Sequence, residues 1–241
     1  MILAILTNYR EPQYIHRCIK SIRKEYNGDI HLMISGKRDD YLESYKKGFI
    51  RHYVKEEGLI KNWQKACKGY ASCIALGKKE GVLVIEDDTA LVTGWYQLFT
   101  DYLVTIKDQK FVLSLGDPVK GSVIEPSVTI PSLQMFLYRV NLMPPTIPGH
   151  LPDALVICWH DSHAVYFPPS LDIKDLSNFV EYFGTKKTSM HDLIVGYYLY
   201  RKLIPIWITV PKLAINIGAY HTSVGPIPNV NKDYSDWDYA K

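Results

Sequence analysis

The chain has 241 residues, with 28 Lys+Arg against 25 Asp+Glu and a formal net charge of +3. Apolar residues make up 47% and charged residues 22%, an ordinary globular composition able to bury a core. So small a positive excess gives no argument for nucleic acid as a partner, and no window reaches the roughly 18 uninterrupted apolar residues of a membrane span.

The opening "MILAILTNYREP" lacks a basic n-region and a small-residue cleavage site, so it reads as a first strand and not as a signal peptide. Four cysteines (Cys18, Cys67, Cys73, Cys158) show no CxxC spacing, which suits reduced thiols in a cytoplasmic protein. Charge is unevenly spread: residues 1–80 carry 16 Lys+Arg against 9 Asp+Glu, and the remainder carries 12 against 16. A basic N-terminal part before an acidic remainder fits a phosphate-bearing ligand held jointly with a metal, or a surface facing anionic lipid. Lysine pairs on solvated faces explain the same numbers equally well.

Strands and helices alternate through the first half. "ILAILT" is a first strand. Pro12 suits a first helical turn, and Ile15, Cys18, Ile19 and Ile22 recur at helical spacing. "DIHLMIS" is a second strand. Asn62 is placed to cap a helix whose stripe is Trp63, Ala66, Cys67, Tyr70 and Ile74. "GVLVIE" is apolar on both faces, as in a covered parallel sheet. Trp95, Leu98, Phe99, Tyr102, Leu103 and Ile106 form another helical stripe, and "KFVLSLG" a further strand. The alternation predicts a doubly wound α/β sheet, on which ligands bind beyond the carboxyl ends of strands. Residues 117–152 hold seven prolines among apolar runs and read as an ordered excursion covering one side of a cleft. Beyond them "HAVYFPP" and "IPIWITVPKLAINIG" are β-rich, with a helix over "TSMHDLIVGYYLYRK" between them.

Three adjacent carboxylates, Glu86, Asp87 and Asp88, end "VLVIE". In an extended chain Glu86 and Asp88 point one way and Asp87 the other. Mg²⁺ or Mn²⁺ prefers oxygen ligands and usually binds one or two carboxylates plus substrate phosphates, offsetting the repulsion between the acids. The plainer alternative is that Asp87 and Asp88 only start a turn.

An apolar strand, then "EDD", then Gly-Trp resembles the DxD-type motif of GT-A glycosyltransferases. "ILTNYREPQYIHRCIKSI" resembles their first strand, nucleotide-binding turn and first helix. "HDLIVGYYLYRKLIPIWITVPKLAINIGAYHTSVG" is similar to the ending of lipopolysaccharide-type members. The resemblance spans most of residues 1–225, residues 120–155 apart. It implies a single GT-A domain, Rossmann-like and doubly wound with a mixed, mostly parallel sheet. Residues 1–116 would bind a nucleotide-diphosphate sugar and residues 117–241 would face the acceptor, a glycan, lipid or protein. The implied activity is sugar transfer to a hydroxyl with Mn²⁺ or Mg²⁺. An inactive nucleotide- or glycan-binding module and a nucleotidyltransferase are the alternatives; the latter typically shows a glycine-rich loop after the first strand, and "TNYREP" has none.

The same resemblance implies the roles. Asp88 would contact the metal, with Glu86 or Asp87 on the ribose or on a water of the ion. Thr7, Asn8 and Arg10 follow the first strand, where the nucleotide would lie, and Arg10 suits bidentate phosphate contact. Asp39 would meet the base or ribose. Lys61 and Asn62 precede a helix whose N–H groups favour anions, although Asn62 also reads as a plain cap. Asp192 would be the general base for the acceptor hydroxyl, and "SMHD" reads equally as a capping box. The pattern places histidine where Asn216 stands; either His221, five residues on, would take that phosphate- or metal-facing role, or the role is absent. His191 would help bind acceptor or lie exposed. His160, Asp161 and His163 form a polar cluster whose spacing could serve a metal; the resemblance assigns it no metal role, and the three read as acceptor-side residues or as a loop. Trp95 would flank the donor or belong to the core. Peripheral membrane contact through basic residues is compatible with all of this.

Overall fold

The computed structural model of the chain describes residues 1–8, 12–35, 47–55, 58–59, 62–106, 109–116, 123–126, 133–137, 140–142, 155–157, 163–186 and 191–218. The apolar runs and helical stripes of the first half become β1 (Ile2–Asn8), α1 (Pro12–Arg23), β2 (Ile30–Ser35), β3 (Phe49–Tyr53), α2 (Asn62–Leu76), β4 (Val82–Glu86), β5 (Thr89–Leu91), α3 (Trp95–Ile106) and β6 (Val112–Ser114). Then come β7 (Val123–Pro126), β8 (Leu133–Leu137), β9 (Val140–Leu142), β10 (Leu155–Ile157), β11 (Ala164–Phe167), α4 (Ile173–Lys186), α5 (His191–Arg201), β12 (Ile206–Thr209) and β13 (Ala214–Asn216). β3, β5, the strands β7 to β10 and the whole of α4 are elements that the sequence reading did not name.

Among the described residues, nine strands form one sheet in the order β3-β2-β1-β4-β11-β6-β12-β8-β7. β3, β2, β1 and β4 run parallel, with α1 joining β1 to β2 and α2 joining β3 to β4 as crossovers between parallel strands. β11 enters antiparallel between β4 and β6, while β12 is parallel to β6. The sheet is therefore mixed and mostly parallel in its first half. The small pair β5–β13 lies apart from it.

Strand alternation divides the core into two layers. Ala4 and Leu6 of β1, Val82 and Val84 of β4, and Val165 and Phe167 of β11 pack with α2, α4 and α5. Their neighbours Leu3, Ile5, Leu83, Ile85, Ala164 and Tyr166 pack with α1 and α3. With both faces covered, the unbroken apolar run Val82–Ile85 is what a central strand needs. Full burial of each large apolar side chain contributes about 1.5–3 kcal/mol.

The seam of α3 runs through Trp95, Phe99, Tyr102 and Ile106. Leu98 falls off that seam and is 38% exposed, unlike the stripe expected from sequence. The Glu25 carboxylate caps this helix from α1's end of the chain, accepting hydrogen bonds from the N–H groups of Gly94 and Tyr96. The connecting turn needs φ of +83° at Gly94, a conformation that suits glycine.

α2 and α4 approach closely at Gly184, where an added Cβ would run into Cβ of Cys67. Neither atom sits on a flexible arm, so the helices would have to part. Gly184→Ala gains helix propensity of about 1 kcal/mol and loses more than that to overpacking, which costs about 1–3 kcal/mol. The expected net effect is a loss of about 1 kcal/mol in urea unfolding; a more stable variant would show that this helix contact is loose.

Candidate functional site

The carboxyl end of β4 meets the beginning of β11 because the two strands are antiparallel. The register pairs Ala164 with Ile85, and the Glu86 N–H donates to the His163 carbonyl at 2.9 Å. His163 thus stands opposite Glu86. Alternation sends both side chains to the α2/α4/α5 face, since Val84 and Val165 point there. Asp87 points the other way and accepts a 2.9 Å hydrogen bond from Thr7 Oγ1 at the end of β1.

Glu86, Asp87 and Asp88 are 8%, 3% and 3% exposed, so they do not simply start a solvated turn. Burial of charge is costly unless partners compensate, and the fold brings partners from distant elements. Glu86 Oε1 lies 2.9 Å from Nε2 of His191, the first residue of α5. Its Oε2 lies 3.5 Å from Nδ1 of His163. His191 stacks on Tyr70 of α2, ring centroids 4.4 Å apart. The expectation that His191 lies exposed or serves the acceptor missed this tie: its side chain is 16% exposed and reaches back to the central strand.

Burial by itself pushes the Glu86 carboxyl up. The imidazole of His163 3.5 Å away, the hydrogen bond from His191, and the positive charge these rings carry when protonated outweigh it and hold the group well below the usual carboxylate range. For His191 burial favours the neutral ring. A hydrogen bond with Cys67, the bond to Glu86 and the charges of Glu86 and Asp192 reverse that, raising it well above ordinary histidine. Beneath the site Cys18 is fully buried, 3.8 Å from the Glu86 carbonyl oxygen. Burial, with the charges of Asp87 and Asp88, pushes its thiol up, so it is an unreactive packing group.

Asp88 is held from its other side by β13 and the two residues after it. Its carbonyl accepts a 2.7 Å hydrogen bond from the Ile217 N–H. Gly218 lies so close that a Cβ there would come within 2.5 Å of Asp88 Cβ and Oδ2; the close approach requires glycine. Asn216 contacts His163, Nδ2 to Nε2, at 2.9 Å.

Glu86, Asp88 and His163 each present one ligand atom, all within 4.8 Å of one another. Two buried carboxylates and an imidazole make a donor set that fits a divalent cation. The sequence reading had placed His163 on the acceptor side or in a loop. The signal that finds it is its position at the head of the apolar strand "HAVYF", whose antiparallel pairing with β4 the sequence does not announce.

The remaining expected residues divide plainly. Asp192 lies in the first turn of α5, 8% exposed, with Oδ1 accepting the Leu193 N–H at 2.8 Å. It is adjacent in sequence to His191, which bonds Glu86. Asn8 ends β1 and Asn62 opens α2. Trp95 is fully buried in the α1/α3 layer, which is the core reading. Arg10, Asp39, Lys61, His160, Asp161, Ser189 and His221 lie outside the described residues. Among the described residues no helix is long and apolar enough to cross a membrane.

The geometry defines an α/β domain with a mixed sheet, parallel and Rossmann-like through its first four strands, and with an acidic and imidazole-lined group at the carboxyl end of its central strand. No protein-family model matches the chain, and no curated protein matches it in sequence. Among solved structures it is similar to mannose-1-phosphate geranyltransferase from Thermus thermophilus. That match has 10% identity and a TM-score of 0.50, covering 91% of this chain and 76% of that one. It is also similar to UTP-bound UGPase from Acinetobacter baumannii, with 10% identity, a TM-score of 0.47 and 90% and 89% of the two chains covered. Apo UDP-glucose pyrophosphorylase gives 10% identity and a TM-score of 0.48 over 87% and 90%. At 10% identity the first of these matches concerns the fold alone and leaves the chemistry to this chain's own residues.

Thr7→Val keeps the shape of the side chain and removes the hydrogen bond to Asp87. A lost bond to a buried charged group costs about 1.5–3 kcal/mol, so a loss in that range is expected in urea unfolding of the metal-free protein. A change below about 0.5 kcal/mol would show that the Thr7–Asp87 bond contributes little to stability.

Proposed function

We propose that the chain is a divalent-cation-dependent glycosyltransferase, moving a sugar from a nucleotide-diphosphate donor to a hydroxyl on a glycan, lipid or protein. One observation carries the reading: buried Glu86 and Asp88 converge with His163 at the carboxyl end of the central strand. In open α/β sheets that end is where ligands bind. Mn²⁺ or Mg²⁺ would be held by the carboxylates of Asp88 and Glu86, and when bound it would neutralise charge developing on the departing diphosphate.

The chain's own groups do the rest. Thr7 holds Asp87 away from the cation side. Asn8 at the end of β1, with Arg10, Asp39, Lys61 and Asn62, would bind the nucleotide and its phosphates. His221 would reach the diphosphate from the C-terminal side. Asp192 takes the proton of the acceptor hydroxyl as its oxygen attacks the anomeric carbon and the bond to the nucleoside diphosphate breaks. On this reading residues 1–116 carry the donor and residues 117–241 face the acceptor. A cytoplasmic location fits the reduced cysteines, Cys18, Cys67 and Cys73 being buried and outside any disulfide.

Product analysis separates this from its neighbours in chemistry. Incubation with UDP- or GDP-sugars and Mn²⁺ is expected to release a nucleoside diphosphate. Formation of a nucleotide sugar and pyrophosphate from nucleoside triphosphate and sugar 1-phosphate would assign nucleotidyl transfer instead. Glycan or nucleotide binding with neither reaction would mark a binding module.

Asp88→Ala is expected to leave the fold intact and weaken Mn²⁺-dependent nucleotide binding at least tenfold in calorimetry; unchanged binding ends the assignment of Asp88. Asp192→Asn is expected to lower turnover by about 10²–10⁴ with donor binding retained. If it lowers the melting temperature and spares turnover, Asp192 serves the helix and not the reaction.

A further inference from the structure

Asn216 closes β13, paired through its backbone with Thr89 of β5. Its side-chain oxygen Oδ1 accepts the Gly218 N–H at 2.7 Å, while Nδ2 lies 2.9 Å from His163 Nε2. The first contact fixes the amide, because a turned amide would set its own N–H groups against the Gly218 N–H. Nδ2 can then only donate. Nε2 of His163 therefore presents its lone pair, and a neutral ring in that arrangement carries its proton on Nδ1. Nδ1 is the nitrogen that faces Glu86, at 3.5 Å from Oε2.

We infer that Asn216 is a positioning and specificity-determining residue: it sets the His163 tautomer, placing the ring proton on Nδ1, the side that faces Glu86, and so withholding that nitrogen from a cation bound by Glu86 and Asp88. The inference rests on the cation reading given above. The three side chains stand close enough to share an ion, yet the hydrogen-bond directions leave only oxygens to bind it. Such a centre takes hard cations such as Mg²⁺ and Mn²⁺ and gives little advantage to Co²⁺ or Zn²⁺, which gain most from imidazole. A carboxylate at position 216 reverses the arrangement. It accepts from both the Gly218 N–H and a proton on Nε2, so Nδ1 is opened as a ligand. Partners of this kind typically change metal affinity about 10–100-fold.

Two measurements test this. In the metal-free protein, two-bond proton–nitrogen correlation spectra locate the His163 proton, the ring being assigned by its loss in His163→Gln. Calorimetry with Mg²⁺ and with Co²⁺ then gives the cation preference. The wild type is expected to carry the proton on Nδ1. Asn216→Asp is expected to move it to Nε2 and to raise affinity for Co²⁺ relative to Mg²⁺ by tenfold or more. A wild-type proton on Nε2 overturns the inference, as does an unmoved proton in Asn216→Asp or an equal change for both cations. Should Asn216→Asp fail to fold, the wild-type spectrum decides alone, and Asn216→Ala, which removes the amide, is expected to give mixed tautomers. A wild type that binds neither cation sinks the functional reading above, whereas the tautomer, read without metal, sinks only this one.

Discussion

A carboxylate buried at the end of a central strand must be compensated, and in this protein Glu86 is the group whose compensation organises the site. Its oxygens meet His191 from α5 and His163 from the strand beside it. Asp87 meets Thr7 across a sequence separation of 80 residues, and His191 reaches Glu86 across 105. An isolated buried charge costs several kcal/mol, so each partner is a condition for folding as much as a component of a binding site. The strand pairing, the first turn of α5 and the close passage of Gly218 all bear on the same few ångströms of backbone.

That arrangement separates the three acids into two kinds. The pleat of β4 sends Glu86 into the layer with His163 and His191, and turns Asp87 toward β1. Asp88, just past the strand, is fixed by its carbonyl bond to Ile217. Repulsion between neighbours in sequence is thereby relieved by geometry: the two acids that stay together are those that an ion would join. The third becomes part of the scaffold, bound to a hydroxyl that has no charge to offer a ligand.

Periodicity carried the fold a long way. The runs that became β1, β2 and β4, and the stripes of α1, α2 and α3, are read directly from apolar spacing, because both layers of the sheet are covered. The place of β11 was not legible. A strand of four apolar residues says nothing about which neighbour it will join or in which direction, since pairing is a property of the assembled sheet. The role of His163 was lost with it, and so was the burial of His191, which depends on where α5 begins relative to Tyr70. Asn216 looked like a departure from a motif; its meaning comes from the Gly218 N–H and the imidazole on either side. α4 escaped notice although Ile173, Leu176 and Val180 recur at helical spacing and are buried.

The antiparallel insertion of β11 has a consequence for how the molecule comes into being. β1 to β4 can assemble through short crossovers, but the imidazole opposite Glu86 belongs to a strand made much later in the chain. Contacts so distant in sequence are entropically slow to close. The partner of Asp87, Thr7, is made before it, whereas both imidazoles that meet Glu86 are made after it. Compensation of Glu86 thus depends on closing contacts about a hundred residues apart, the kind that cost most in chain entropy.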